Sequence, residues 1–126
     1  DLMRVEMTGD NPDWTCQQAG TGDDAITEPF KMPYLHAYAV EDGIERGLIL
    51  INLSPGQDFE VNLYLPRKPA TPAKVWQLVG QDLVSNNEME HEVQVVVKES
   101  QISEFGRDTS LLLPAHTLSV ISWQVQ

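Results

Sequence analysis

One cysteine, Cys16, stands in a chain of 126 residues. A single thiol makes no disulfide framework, zinc knuckle or CxxC redox pair within one chain. Cations are scarce too: eight Lys and Arg face nineteen Asp and Glu, a formal charge of -11. Nucleic acid requires clustered cations to neutralise its phosphates, and an anionic membrane surface requires the same, so neither is expected as a partner. No apolar run approaches the roughly 18 residues of a membrane-spanning helix. No charged-then-apolar export signal opens the chain. The start, Asp1-Leu2-Met3-Arg4, reads like a cut inside a longer protein, which leaves the compartment open. A sustained apolar stripe at i, i+3, i+4, i+7 is missing, so long helices are not expected. There is no phosphate loop, dinucleotide fingerprint, HExxH or GxSxG, and the Ser, His and Asp residues carry no triad spacing.

What is present is 41% hydrophobic residues, punctuated by eight Pro and eight Gly. A chain this size buries roughly two-thirds of the surface its unfolded form exposes, enough for one domain without staples. Short Val-, Ile- and Leu-rich runs at turn-bounded spacing predict an all-β fold, an antiparallel β-sandwich of about seven or eight strands, jelly-roll or immunoglobulin-like. Residues 1–126 form a single domain in this reading. Residues 1–33, with turns at Thr8-Gly9-Asp10-Asn11-Pro12-Asp13 and Gly20-Thr21-Gly22-Asp23-Asp24, are an irregular acidic lead-in with at most an edge strand near Met3 to Met7. Residues 34–126 are the strand core.

Leu35 to Val40 is the first core strand, closed by a turn at Glu41-Asp42-Gly43. Gly47 to Leu53 and Phe59 to Leu65 flank Ser54-Pro55-Gly56-Gln57-Asp58 and are expected to pair as a hairpin. Pairing Leu53 with Phe59 puts Ile49, Ile51, Leu53, Phe59, Val61 and Leu63 on a core face. Leu48, Leu50, Asn52, Glu60, Asn62 and Tyr64 then share the other, part-solvated face. Lys74 to Val79, a half-buried strand through Val93, Val95 and Val97, Ser110 to Leu113 and Thr117 to Gln124 complete the set.

The aromatic residues carry the binding chemistry. A sugar ring stacks its apolar C–H faces on Trp or Tyr, while its hydroxyls need Asp, Asn, Gln or Glu. Tyr64 falls beside Asn62 and Glu60, and Trp14 lies in a polar stretch beside Asp13. Trp14 and Tyr64 are therefore the candidate platforms, with Tyr38 and Trp76 behind them and Asn62, Glu60 and Asp13 as hydroxyl partners. Alternation also allows plainer roles. Trp123 shares a face with Ile121 and is expected in the core; Trp76 shares a face with Leu78 and has the same reading; Trp14 fits equally as a plug over one end of the sandwich. Calcium could be held through carboxylates at Asp10, Asp13, Asp23 and Asp24, but no EF-hand spacing exists and solvated turns suffice. In Glu88-Met89-Glu90-His91-Glu92 strand alternation parts the histidine from the acids, which favours a solvated edge over a metal site. Asn52-Leu53-Ser54 is a glycosylation sequon.

Tyr34-Leu35-His36-Ala37-Tyr38-Ala39-Val40-Glu41-Asp42-Gly43, then Gly47 through Leu53, Val75-Trp76-Gln77-Leu78-Val79-Gly80, Ser85-Asn86-Asn87-Glu88 and Leu113 through Ile121 together resemble a known domain. It is the C-terminal β-sandwich that follows the (β/α)8 barrel in many glycoside hydrolases, the α-L-arabinofuranosidases especially. The resemblance covers about residues 34 to 123. It implies a non-catalytic accessory or carbohydrate-binding module, covalently linked to a catalytic barrel and excised here from a larger enzyme. No residue takes a catalytic role, because the family's catalytic acids lie on the barrel. The implied partner is a polysaccharide or oligosaccharide, no cofactor is implied, and polysaccharide degradation implies export. Two alternatives stay open. A purely structural domain would carry a bare apolar patch, with Leu48 and Leu50 on the Tyr64 face as part of it. A metal-assisted enzyme or calcium-dependent binder would use the acidic loops.

Overall fold

Runs of Val, Ile and Leu bounded by Pro, Gly and Asn become strands throughout the computed structural model, which describes residues 1–16, 28–80 and 95–126. Among the described residues there are ten strands and no helix: β1 (Leu2–Met3), β2 (Asp13–Cys16), β3 (Phe30–Pro33), β4 (Leu35–Asp42), β5 (Glu45–Asn52), β6 (Phe59–Tyr64), β7 (Ala73–Gly80), β8 (Val95–Ile102), β9 (Asp108–Leu113) and β10 (Thr117–Gln124). Every pairing is antiparallel. A six-stranded sheet runs β1-β4-β5-β10-β7-β8, and two-stranded sheets join β2 to β3 and β6 to β9. The expected sandwich is therefore present, with more strands than the sequence suggested.

The core lies between the six-stranded sheet and the β6–β9 pair. Leu35, Leu48, Leu50, Ala73, Val75, Ile121 and Trp123 enter it from the large sheet, and Leu113 from β9, with Phe59, Val61, Leu63 and Leu111 packed against them. Strand β10 shows the alternation most plainly, since Thr117, Ser119, Ile121 and Trp123 are buried and the residues between them are half-buried. Phe105 meets Trp123 edge-on, with ring centroids 5.2 Å apart. Trp123 is 7% exposed, as expected of a core residue.

The hairpin expected between β5 and β6 does not form. Strand β5 pairs with β4 and β10, and β6 pairs with β9, so the Ser54–Asp58 loop carries the chain from one sheet to the other. The core face of β5 is also the opposite of the one expected. Leu48, Leu50 and Asn52 point inward, whereas Ile49 and Ile51 face out and Leu53 is exposed. Leu48 through Ile51 is apolar on both faces, so alternation could not choose between them. On β6 the choice was right: Phe59, Val61 and Leu63 face the core and Glu60, Asn62 and Tyr64 face out. Strand β8 is a mostly exposed edge rather than a half-buried strand; Val93 lies outside the described residues.

The lead-in is more ordered than expected where it is described. Strand β2 pairs with β3, and β1 adds to the edge of β4. Asn11 fixes this segment to the core strands: its Nδ2 donates to the Leu35 carbonyl and its Oδ1 accepts from the Leu35 N–H, both at 3.0 Å. The Tyr34 N–H donates to the Pro12 carbonyl at 2.9 Å.

Candidate functional site

The outward positions of the six-stranded sheet form rows that follow directly from the register. One row runs Tyr38, Ile49, Val120, Trp76 and Glu99; the next runs His36, Ile51, Leu118, Leu78 and Val97. Five strands at about 4.8 Å spacing make each row about 20 Å wide. Tyr38, Leu78 and Val97 are 51%, 44% and 62% exposed. Ile49, Ile51, Leu118, Val120 and Trp76 are half-buried by one another and by their neighbours. A water-facing sheet normally alternates apolar with polar residues. Here two adjoining rows are apolar across four strands, interrupted only by His36 and bounded by Glu99.

This face collects two of the sequence candidates, Tyr38 and Trp76. Trp76 is not a core residue. Its face of β7 looks outward, while Ala73 and Val75 fill the interior. Leu48 and Leu50 do not belong to any bare patch either, because both are buried. The exposed apolar surface is built from Ile49 and Ile51 instead, and it lies on a different sheet from Tyr64.

The outer face of the β6–β9 pair is chemically different. Glu60 stands opposite Leu112, Asn62 opposite Ser110 and Tyr64 opposite Asp108. Tyr64 is 74% exposed. The Ser110 hydroxyl donates to Asn62 Oδ1 at 2.6 Å, which leaves the Asn62 amide hydrogens facing solvent. Tyr64, Asn62 and Glu60 thus share one exposed face, as the sequence indicated. Trp14 and Asp13 do not join them in this sheet. They lie on β2, across from Met32 and Pro33.

A cleft of about 270 Å³ opens at one end of the sandwich, lined by Met3, Glu41, Arg46, Leu65, Pro66, Arg67, Trp123 and Val125. Sequence reasoning missed it. Glu41, Arg46 and Trp123 are in register as the last inward-facing row of β4, β5 and β10. Nothing local distinguishes that row from the aliphatic rows beside it except the two charges on either side of the Gly43–Ile44 turn.

Asn52 and its sequon have a structural role. Asn52 is 1% exposed. Its Nδ2 donates to the carbonyls of Gln57, Leu113 and Pro114 at 2.9, 3.1 and 3.0 Å, and its Oδ1 accepts from the Ser54 N–H at 2.9 Å. Among the described residues no three His, Cys, Asp or Glu side chains converge as metal ligands. Asp10 and Asp13 are exposed. Asp23, Asp24 and the Glu88 to Glu92 run lie outside the described residues.

No protein-family model matches the chain, and no curated protein matches it in sequence. Its fold is found in solved structures. An α-L-arabinofuranosidase from Thermotoga maritima, solved with arabinose, superposes with a TM-score of 0.75 at 20% identity, covering 92% of this chain and 24% of that one. A glycoside hydrolase family 51 α-L-arabinofuranosidase from Thermotoga petrophila gives 0.71 at 20% identity, covering 90% and 24%. A family 44 xyloglucanase from Paenibacillus polymyxa gives 0.54 at 16% identity, covering 82% and 19%. The chain therefore spans about a quarter of the two arabinofuranosidases it resembles. The resemblance read from its motifs holds at the level of fold.

Proposed function

We propose that the chain is a non-catalytic accessory β-sandwich of a glycoside hydrolase, and that the outer face of its six-stranded sheet seats the linked catalytic domain. The observation that carries this reading is Leu48-Ile49-Leu50-Ile51. A strand apolar on both faces is the pattern of a strand covered on both sides, and the β6–β9 pair covers only one. The fold likeness supports the choice of partner, because in the arabinofuranosidases this fold accompanies a further three-quarters of chain. Catalysis belongs to that remainder, and export of the parent enzyme follows from a polysaccharide substrate.

The test uses the chain on its own. Its bare face should bind an apolar-surface dye and drive self-association at high concentration. A Leu78→Lys/Val97→Lys double variant should fold normally, bind little dye and sediment as a monomer. A parent chain that stays monomeric and binds no dye would overturn the reading.

A second reading, glycan binding, is favoured by Tyr64. A ring 74% exposed beside Asn62 and Glu60 supplies a stacking surface with hydroxyl partners on a face separate from the apolar one. The two roles are compatible, since they use opposite sides of the sandwich.

A further inference from the structure

The cleft at the sandwich end gathers charge of the scarcer sign. The chain has four arginines. Two of them, Arg46 and Arg67, line the cleft. A third, Arg107, stands at its rim, where its Nε donates to the carbonyl of the lining residue Leu65 at 3.1 Å. Among the described residues the only carboxylate in the lining is Glu41. Asp42 and Glu45 stay outside this lining and instead share a neighbouring hollow with Asp1, Glu41 and Arg46. The described lining therefore holds two cations against one anion in a chain whose formal charge is -11.

Arg46 is fixed in place. Its side chain is 10% exposed and its Nη2 pairs with Glu41 Oε2 at 3.0 Å. Its Nη1 donates to the carbonyls of Gly43 and Glu45, each at 2.8 Å. A guanidinium has five N–H groups. These contacts use three, so two find no partner among the described residues. A guanidinium held in one orientation at the wall of a cleft suits the planar, two-oxygen geometry of a carboxylate. Trp123 and Val125 supply an apolar wall, and the buried Trp123 Nε1 has no acceptor among the described residues. The buried polar groups Asn52 and Ser119 on the same face have hydrogen-bond partners, whereas the Trp123 donor has none among the described residues, and such breaks gather at functional sites.

We propose that this cleft binds a small carboxylate ligand of about the size of one sugar ring, held by Arg46 and Arg67 against the Trp123 side of the cleft. At about 270 Å³ the cleft falls just below the usual range of small-molecule sites, about 300–1,000 Å³, which fits a single ring rather than a polymer. The inference is independent of the sheet-face reading, because the two use different surfaces.

Titration of the full chain with sodium glucuronate, followed by the three tryptophan indole N–H signals in NMR, tests it. Trp14→Phe and Trp76→Phe variants assign the signals without touching Trp123. The expected result is a saturable shift of the Trp123 signal alone, absent with uncharged glucose and weakened at least fivefold in Arg67→Gln, whose spectrum should otherwise match the parent. No Trp123 shift at tens of millimolar, an equal shift with glucose, or full affinity in Arg67→Gln would overturn it.

Discussion

Asn52 donates to the carbonyl of Leu113 at 3.1 Å, joining the end of β5 to the end of β9. Those strands belong to opposite sheets, so one side chain ties the two layers together. With Gln57 and Pro114 as its other acceptors, its two N–H groups are shared among three carbonyls where the ends of β5 and β9 meet the Ser54–Asp58 loop. Asn52→Ala should therefore cost about 2–4 kcal/mol, since it strands several part-buried carbonyls and leaves a void. Urea denaturation would measure it, and a loss below about 1 kcal/mol would contradict the role.

The same burial decides the sequon. Expressed in a glycosylating host, the folded chain should carry no glycan at Asn52. An intact mass equal to the unmodified value is the expected result.

Trp123 and Trp14 should separate cleanly. Trp123→Ala empties a core site against Phe105 and should cost about 3–5 kcal/mol. Trp14 is 37% exposed on β2, so Trp14→Ala should stay within about 0.5 kcal/mol. Thermal melts of both variants would check this. A large loss from Trp14→Ala would make that residue a plug over the sandwich end.

If the β6–β9 face binds glycans, Tyr64→Ala should weaken retardation by arabinan or xylan in affinity electrophoresis at least tenfold, about 1.4 kcal/mol. Stability should not change, because the ring fills no cavity. Unaltered retardation in Tyr64→Ala would move the site elsewhere, and no retardation of the parent by any polysaccharide would end the glycan reading.

His116 adopts φ of 43°, a left-handed backbone conformation uncommon for a residue with a side chain. It is held there by its N–H to the Ser54 carbonyl at 2.9 Å and its ring Nδ1 near the Pro55 carbonyl at 3.2 Å. Asparagine tolerates this region and a β-branched residue does not. His116→Val should melt below His116→Asn, by about 1–2 kcal/mol of stability. Equal melting points would show that the turn relaxes.

Strand positions were readable because Pro, Gly and Asn bound each apolar run. The end residues of β10 are the ones expected from Thr117 and Gln124. What sequence could not supply was the facing of doubly apolar strands. In Leu48-Ile49-Leu50-Ile51 either face qualifies as core, and it is Leu48 and Leu50, not the expected Ile49 and Ile51, that turn inward. The same ambiguity between Val75 and Trp76 misplaced Trp76. Ser54-Pro55-Gly56-Gln57-Asp58 resembles a hairpin loop, yet its side chains fasten it elsewhere: Asp58 Oδ1 accepts from the Ala115 N–H at 2.9 Å, in the turn before β10. On β6 polar and apolar residues alternate strictly, and there the face of Tyr64, Asn62 and Glu60 was correctly read. The arginine cleft was invisible because its members come from distant segments and meet only through register.

The position of β10 bears on how the protein is made. Strand β10, the last of the described strands in chain order, is the hydrogen-bonded neighbour of both β5 and β7, inside the six-stranded sheet. Until residues 117–124 leave the ribosome, two apolar strand edges stay open, and open edges are templates for pairing with other chains. A stalled or prematurely terminated nascent chain would thus release two half-sheets with no seam between them.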